Sequence, residues 1–416
     1  MKPNQAVGAA MAMTHGPARR GGVRGAGRRA GAALLMGGVL LLTAACNSDG
    51  SSSGDDAAGG SASAAPKTSA AVVTVSAKDG AGDVAPAGFQ VTVASGTLTG
   101  VTMADKDGKP VTGKVSSDGQ SWKPDAALAV GTAYTVNAQA KDSAGLVSAA
   151  TSSFTTLSPA KTAAATDNIA DNGTYGVGMI VSVNFTKAVK NKDDVLKGIT
   201  FEASDGSVVK GHWFGDRRVD FRPEKYWKPD TKVTIHYRLK SVEVSPGVYG
   251  DVDKDEPFKI GRERTSTVDA ATHQMTVQQG GSTKTIPITA GNDDNPSWNG
   301  VMVISSKEKV TRMNSATVSN VKGSEYDISD VPHAMRLTAS GTYVHGNYWG
   351  SAFGKANASH GCIGLQDAKG GDDSSSAGRF FADSIVGDVV KVVNSKGKTV
   401  QPDNGLSGWN LNWANW

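Results

Sequence analysis

The chain has 416 residues with 43 Lys or Arg against 39 Asp or Glu, but six of the basic residues (Lys2, Arg19, Arg20, Arg24, Arg28, Arg29) and no acid lie within residues 1–45. From Cys46 onward 37 basic residues face 39 acidic ones, a formal charge of −2 that disfavours a nucleic-acid partner. Two cysteines exclude a disulfide-stapled scaffold, and 51 Gly with 38% hydrophobic residues suit a turn-rich β protein better than a helical bundle.

Arg28-Arg29 lead into Ala30–Ala45, an uncharged, mostly apolar run that ends in small residues. Basic, apolar and small segments in that order read as an export signal over residues 1–45, too short for a spanning helix. Leu42-Thr43-Ala44-Ala45-Cys46 resembles a lipobox, which makes Cys46 the acylated first residue of a membrane-anchored lipoprotein. An ordinary cleaved signal or an uncleaved membrane anchor, with Cys46 incidental, is the plainer alternative. Residues 46–69 are rich in Ser, Gly, Ala and Asp and read as a disordered spacer that gives reach.

Residues 70–158 hold short β-type runs around Val72–Val75, Phe89–Val93, Leu98–Met103, Tyr134–Ala138 and Ser153–Thr156. Asp-Gly pairs at 79–80, 107–108 and 118–119 punctuate them as turns, so the segment reads as a β-sandwich. Trp122-Lys123-Pro124-Asp125 recurs as Trp227-Lys228-Pro229-Asp230, each followed by an alternating strand and a closing strand with Phe154 or Phe258. That order implies a second, related sandwich over residues 159–262. Its aromatic residues Trp213, Phe214, Phe221, Tyr226 and Trp227 are expected in its core, with a glycan site as the alternative.

A third domain follows over residues 263–395, with strands at Gln274–Gln278, Thr285–Ile288, Gly300–Ser305 and Gly387–Val393 and a helix near Ala377–Ile385. Trp409, Trp413 and Trp416 in the tail 396–416 are spaced to share one side of a turn and are expected to dock it onto the third domain, direct contact with wall polymer being the rival.

Chemistry concentrates in Thr342-Tyr343-Val344-His345-Gly346-Asn347 and Ser359-His360-Gly361-Cys362. A thiol is a useful nucleophile near neutral pH when a base stands beside it, and His345 at a strand end can supply one. Gly361 frees the backbone before Cys362 to turn its N–H groups toward an oxyanion. The intervening Tyr348–Ala358 reads as a flexible loop. The residue types alone leave two alternatives open: a buried structural Cys, or a metal site built from His345, His360 and Cys362.

These motifs resemble the L,D-transpeptidases of the bacterial cell wall, with their YkuD-type catalytic domain and the His-Gly/Ser and Ser-His-Gly-Cys signatures. The wider order also resembles the actinobacterial members: a lipoprotein signal, two immunoglobulin-like domains, the catalytic domain and a Trp-rich tail. The resemblance implies a mainly β fold, two immunoglobulin-like β-sandwiches followed by a β-rich catalytic domain with a short helix. It implies Cys362 as nucleophile, His345 as base, the Gly346 carbonyl as its orienting partner and Gly361 in the turn. Tyr326, Asn347, Ser359 and His360 become substrate-binding candidates. Gly364 stands where the family usually has Arg or Asn, and Arg336 is the candidate to compensate. The implied reaction is 3→3 cross-linking of peptidoglycan stem peptides with release of D-Ala, by a monomer that needs no cofactor or metal. An L,D-carboxypeptidase, a protein-anchoring enzyme and a non-catalytic wall-binding lipoprotein are the rival readings.

Overall fold

The computed structural model describes residues 67–318 and 325–416. The signal, Cys46 and most of the spacer lie outside the described residues, among which no helix is long and apolar enough to cross a membrane.

The first sandwich pairs two four-stranded sheets. One runs Val72–Val75, Val91–Ala94, Ser121–Pro124, Gly113–Val115; the other runs Ala81–Val84, Val147–Thr156, Ala133–Lys141, Thr97–Asp105. Alternation decides the inner face: Tyr134, Val136, Ala138 and Ala140 are buried while the residues between them face water. Phe89 stacks on Phe154 at 5.0 Å and meets Trp122 edge-on, and each such buried aromatic contributes about 2–3 kcal/mol. The three Asp-Gly turns form with Gly80, Gly108 and Gly119 at φ +74°, +80° and +69°, which only glycine adopts without strain.

The second sandwich has the same plan, two four-stranded sheets plus a small three-stranded one. Trp227 fills its core, donating from Nε1 to the Met179 carbonyl at 2.8 Å and meeting Phe258 edge-on. Phe221 is buried as expected and Trp213 lies half-buried against Phe185. This core is not self-contained: Val303, Val389 and Leu406 of the following segments belong to the same apolar cluster. The Gly176 and Gly178 amides donate to Val386 and Gly387 at 2.8 and 2.9 Å. A Cβ on Gly176 would collide with the backbone of Gly387 and Asp388, so glycine permits this close seam.

The tail corrects one expectation. Trp409 and Trp416 dock on the second sandwich, donating from their ring nitrogens to the carbonyls of Gly178 and Lys210 at 2.8 and 2.9 Å. The physical reason is Arg222, a buried guanidinium with three indole faces around it: Trp409, Trp413 and Trp416 at 4.7, 5.3 and 4.2 Å. Tyr226 packs under Trp409 and Phe214 against Trp416, so the tail covers part of the aromatic cluster. Asn410 ties the same strap to the third domain through both Val301 N–H and C=O.

The third domain is built on one nine-stranded sheet, in the order Gly300–Val303, Val389–Val393, Arg264–Asp269, Gln274–Gln279, Ser282–Thr289, Ile363–Gln366, Tyr343–Asn347, Asp327–Arg336, Ser306–Asn314. Helix Ser376–Asp383 is capped by Ser375, whose Oγ accepts from the Gly378 N–H, and it buries Ala377 and Phe380 in the sheet's core. Ile385, expected inside the helix, follows its end at Ser384.

Candidate active site

The thiol and the imidazole meet because two strands run side by side in parallel. Val344 pairs with Ile363 and His345 with Gly364, which puts Cys362 one strand across and two residues back from His345. Strand spacings near 4.8 Å and 3.3 Å per residue separate the two Cα atoms by about 8 Å, within reach of the two side chains. Both line a cavity of about 330 Å³ together with Tyr326, Asn347, Ser359, His360, Trp349 and the apolar Met313, Ile328 and Val331.

Each side chain has a fixed partner. His345 Nδ1 donates to its neighbour's carbonyl, Gly346 O, at 2.8 Å, which leaves Nε2 as the unprotonated nitrogen of the neutral ring. Cys362 Sγ lies 3.7 Å from the Gly341 carbonyl, and the Tyr343 N–H also bonds the sulfur. Burial pushes the Cys362 thiol up to about 11, and burial lowers His345 from its ordinary 6.5 against the opposing pull of the Gly346 carbonyl. The resting pair is therefore a thiol and a neutral imidazole rather than an ion pair, which suits proton transfer during attack.

Gly361 adopts φ +111°, and a Cβ there would meet only the Asn295 carbonyl at an ordinary 3.8 Å, so conformation rather than crowding calls for glycine. Its carbonyl accepts from Ser297 Oγ at 2.9 Å. Its N–H donates to Ser359 Oγ at 3.2 Å, and that hydroxyl donates to the Cys362 carbonyl at 2.6 Å. The Gly361 N–H is thus engaged at rest, not free for an oxyanion as the sequence suggested, and Ser359 braces the turn as well as lining the cavity. Tyr326 stands 5.1 Å ring to ring from His360, and burial beside Cys362 raises its hydroxyl to about 12.

Arg336 does not compensate for Gly364. Its guanidinium donates to Thr338 O and Ala339 O and lines a different cavity, with Arg218 and Ser182 of the second sandwich. Asn347 holds the space instead, its Nδ2 lying 3.3 Å from where a Gly364 Cβ would project. Its Oδ1 accepts from the Trp349 and Gly350 N–H groups at 3.1 and 2.9 Å. Trp349, absent from the sequence reading, stacks on the His345 ring at 5.7 Å with 16° between planes. Its loop is tied down by Gly354 N–H to Ile288 O and by Thr289 Oγ1 to Ala356 O, at 2.9 Å each, so it is less free than its glycines imply. Among the described residues no three His, Cys, Asp or Glu side chains converge as a metal site.

Residues 81–243 match the bacterial Ig domain family, and residues 263–370 match the YkuD L,D-transpeptidase catalytic domain. Ig-like domains joined to a YkuD domain that presents a buried thiol and imidazole to one cavity define the class. The chain is 33% identical over 354 residues to L,D-transpeptidase 2 of Mycobacterium tuberculosis, covering 83% of each chain. It is 27% identical to L,D-transpeptidase 5 of the same organism, over 83% of this chain and 76% of that one. A solved L,D-transpeptidase in complex with imipenem is 27% identical, with a TM-score of 0.47 over 55% of this chain and 97% of that one. The protein belongs to the L,D-transpeptidase family.

Proposed function

We propose that the protein is a peptidoglycan L,D-transpeptidase that forms 3→3 cross-links by cysteine acyl transfer. The observation that carries this reading is the His345 ring, held by Gly346 O with Nε2 left to accept a proton and facing the same cavity as Cys362. Cys362 Sγ attacks the carbonyl carbon of the third, diamino acid residue of a donor tetrapeptide as its proton passes to His345 Nε2. The C–N bond to the terminal D-Ala breaks, and that amine leaves with the proton from His345. A thioester remains. The side-chain amine of an acceptor stem then attacks it, His345 takes the amine's proton, and sulfur leaves as the thiol once reprotonated. Backbone N–H groups of the Gly361–Cys362 turn stabilise the oxyanion in both steps once Ser359 releases its hold. No cofactor enters this sequence.

The site works outside the cell membrane in this reading, with Cys46 lipidated and residues 46–69 plus the two sandwiches setting its reach into the wall. Metabolic labelling with a clickable fatty acid should mark the wild type and not Cys46→Ala. Product analysis with a purified tetrapeptide donor and acceptor tests the reaction: dimers joined 3→3 are expected. Tripeptides alone would make the protein an L,D-carboxypeptidase, and no turnover by folded, reduced protein would leave a wall-binding lipoprotein.

A further inference from the structure

One residue of the strand Asp327–Arg336 sits in the left-handed region although it carries a Cβ: His333, at φ +49°. Strain of this kind persists only where the surroundings over-determine it. The ring is 1% exposed, its Nδ1 lies 2.7 Å from Asp367 Oδ2, and its Nε2 lies 3.0 Å from Asp373 Oδ1. Each ring nitrogen thus has a carboxyl oxygen within hydrogen-bonding distance, one enclosed and one at the surface. Asp373 is exposed and also meets Lys309 at 3.1 Å; its carboxyl is held below the usual range, first by the His333 bond. Phe381 of the helix packs at 5.3 Å from the ring, and Gly371 backs its edge. No other charged side chain contacts His333 in the hydrogen-bond and ion-pair network of the described residues.

The buried partner links this cluster to the chemistry. Asp367 directly follows the strand Ile363–Gln366, its side chain is fully enclosed, and its Oδ1 accepts from the Ala368 and Asp372 N–H groups at 2.8 and 2.9 Å. Its own N–H donates to the Asn347 carbonyl at 3.3 Å. Its Oδ2 lies so close under Gly346 that a Cβ there would collide with it. Gly346 is the residue whose carbonyl holds His345 Nδ1.

We propose that His333 and Asp367 are a positioning pair: the buried carboxylate, fixed by the imidazole, seats the Gly346 peptide and thereby sets the tautomer and aim of His345. The proposal rests on His345 serving as base, and it deepens that reading. A buried pair of this kind is weak evidence for stability by itself, so its use is sought in what it orients.

The test combines nitrogen NMR of the His345 ring with acylation kinetics, in the full chain carrying Asp367→Asn. The proposal expects the wild type to show a protonated Nδ1 and the variant a mixture of tautomers. Acylation should slow by about tenfold or more while KM stays within about twofold, because the binding surface is untouched. A folded Asp367→Asn protein with the wild-type tautomer and rate would overturn it. Should that variant not fold, His333→Asn, a residue that tolerates the left-handed backbone, removes the imidazole that fixes the carboxylate, and a folded protein with the wild-type tautomer and rate there would count equally against the pair. The tautomer is read without turnover, so failure of the pair remains distinct from failure of the proposed reaction, in which the wild type itself would not acylate.

Discussion

The Arg222 guanidinium lies 4.2 Å from the centre of the Trp416 ring, so the last residue of the chain covers a buried cation of the second sandwich. Arg222 has no carboxylate partner among the described ion pairs; burial lowers it to about 10, and Nη2 donates to Leu411 O at 2.8 Å. Removing residues 408–416 leaves that charge without its indoles and frees the strap to the third domain. Thermal or urea unfolding of the truncated protein should show a loss of about 3–5 kcal/mol. Arg222→Met, which keeps the stem and removes the charge, should lose less than the truncation. Equal stability of all three proteins would contradict the strap.

Burial keeps both reacting groups neutral near pH 7, and the sign of the pH dependence follows. His345 must be unprotonated to take a proton, and its value is lowered from 6.5, so acylation falls only as pH drops below that range and shows no inflection between 7 and 8. Stopped-flow acylation across pH 5–9 reads this directly.

The thiol gives a second, independent pH readout. Raised from 9.0 to about 11, Cys362 holds roughly 100-fold less thiolate at neutral pH than an unperturbed thiol. Alkylation by iodoacetamide without substrate should be correspondingly slow at pH 7 and still rising above pH 9. A plateau below pH 8 would mean a preformed thiolate–imidazolium pair.

Asn347 and Gly364 share one space. Gly364→Asn brings a Cβ to 2.9 Å from Thr289 Cγ2 and 3.3 Å from Asn347 Nδ2, so it should destabilise the protein by about 1–2 kcal/mol. Asn347→Ala frees the Trp349 and Gly350 N–H groups and should raise the donor KM about five- to tenfold with a smaller change in kcat. Steady-state kinetics on a defined donor separates the two variants.

The readable parts of this chain were those where local chemistry and distant packing agree. Strict alternation in Ala133–Lys141, Asp-Gly turns and the repeated Trp122 and Trp227 mark the sandwiches, and a thiol beside glycine and histidine marks the candidate site. Ser306–Asn314, by contrast, carries three Lys or Arg and one Glu on an edge strand, where solvent masks the period of two that marks a half-buried strand. The tail's destination was hidden because it depends on Arg222, nearly two hundred residues away and ordinary in its local sequence. Trp349 carries no local signal among the glycines of its loop, and Asp367 and His333 are joined only by the sheet's register. Partners set by long-range pairing leave no spacing to read.

The central claim is that Cys362 carries the acyl group. Intact-mass spectrometry of the reduced protein, quenched with a tetrapeptide donor and no acceptor, should find an adduct of the donor lacking its D-Ala, mapped to Cys362 and missing in Cys362→Ala. An adduct on another residue, or cross-linked product formed by Cys362→Ala, would contradict the account.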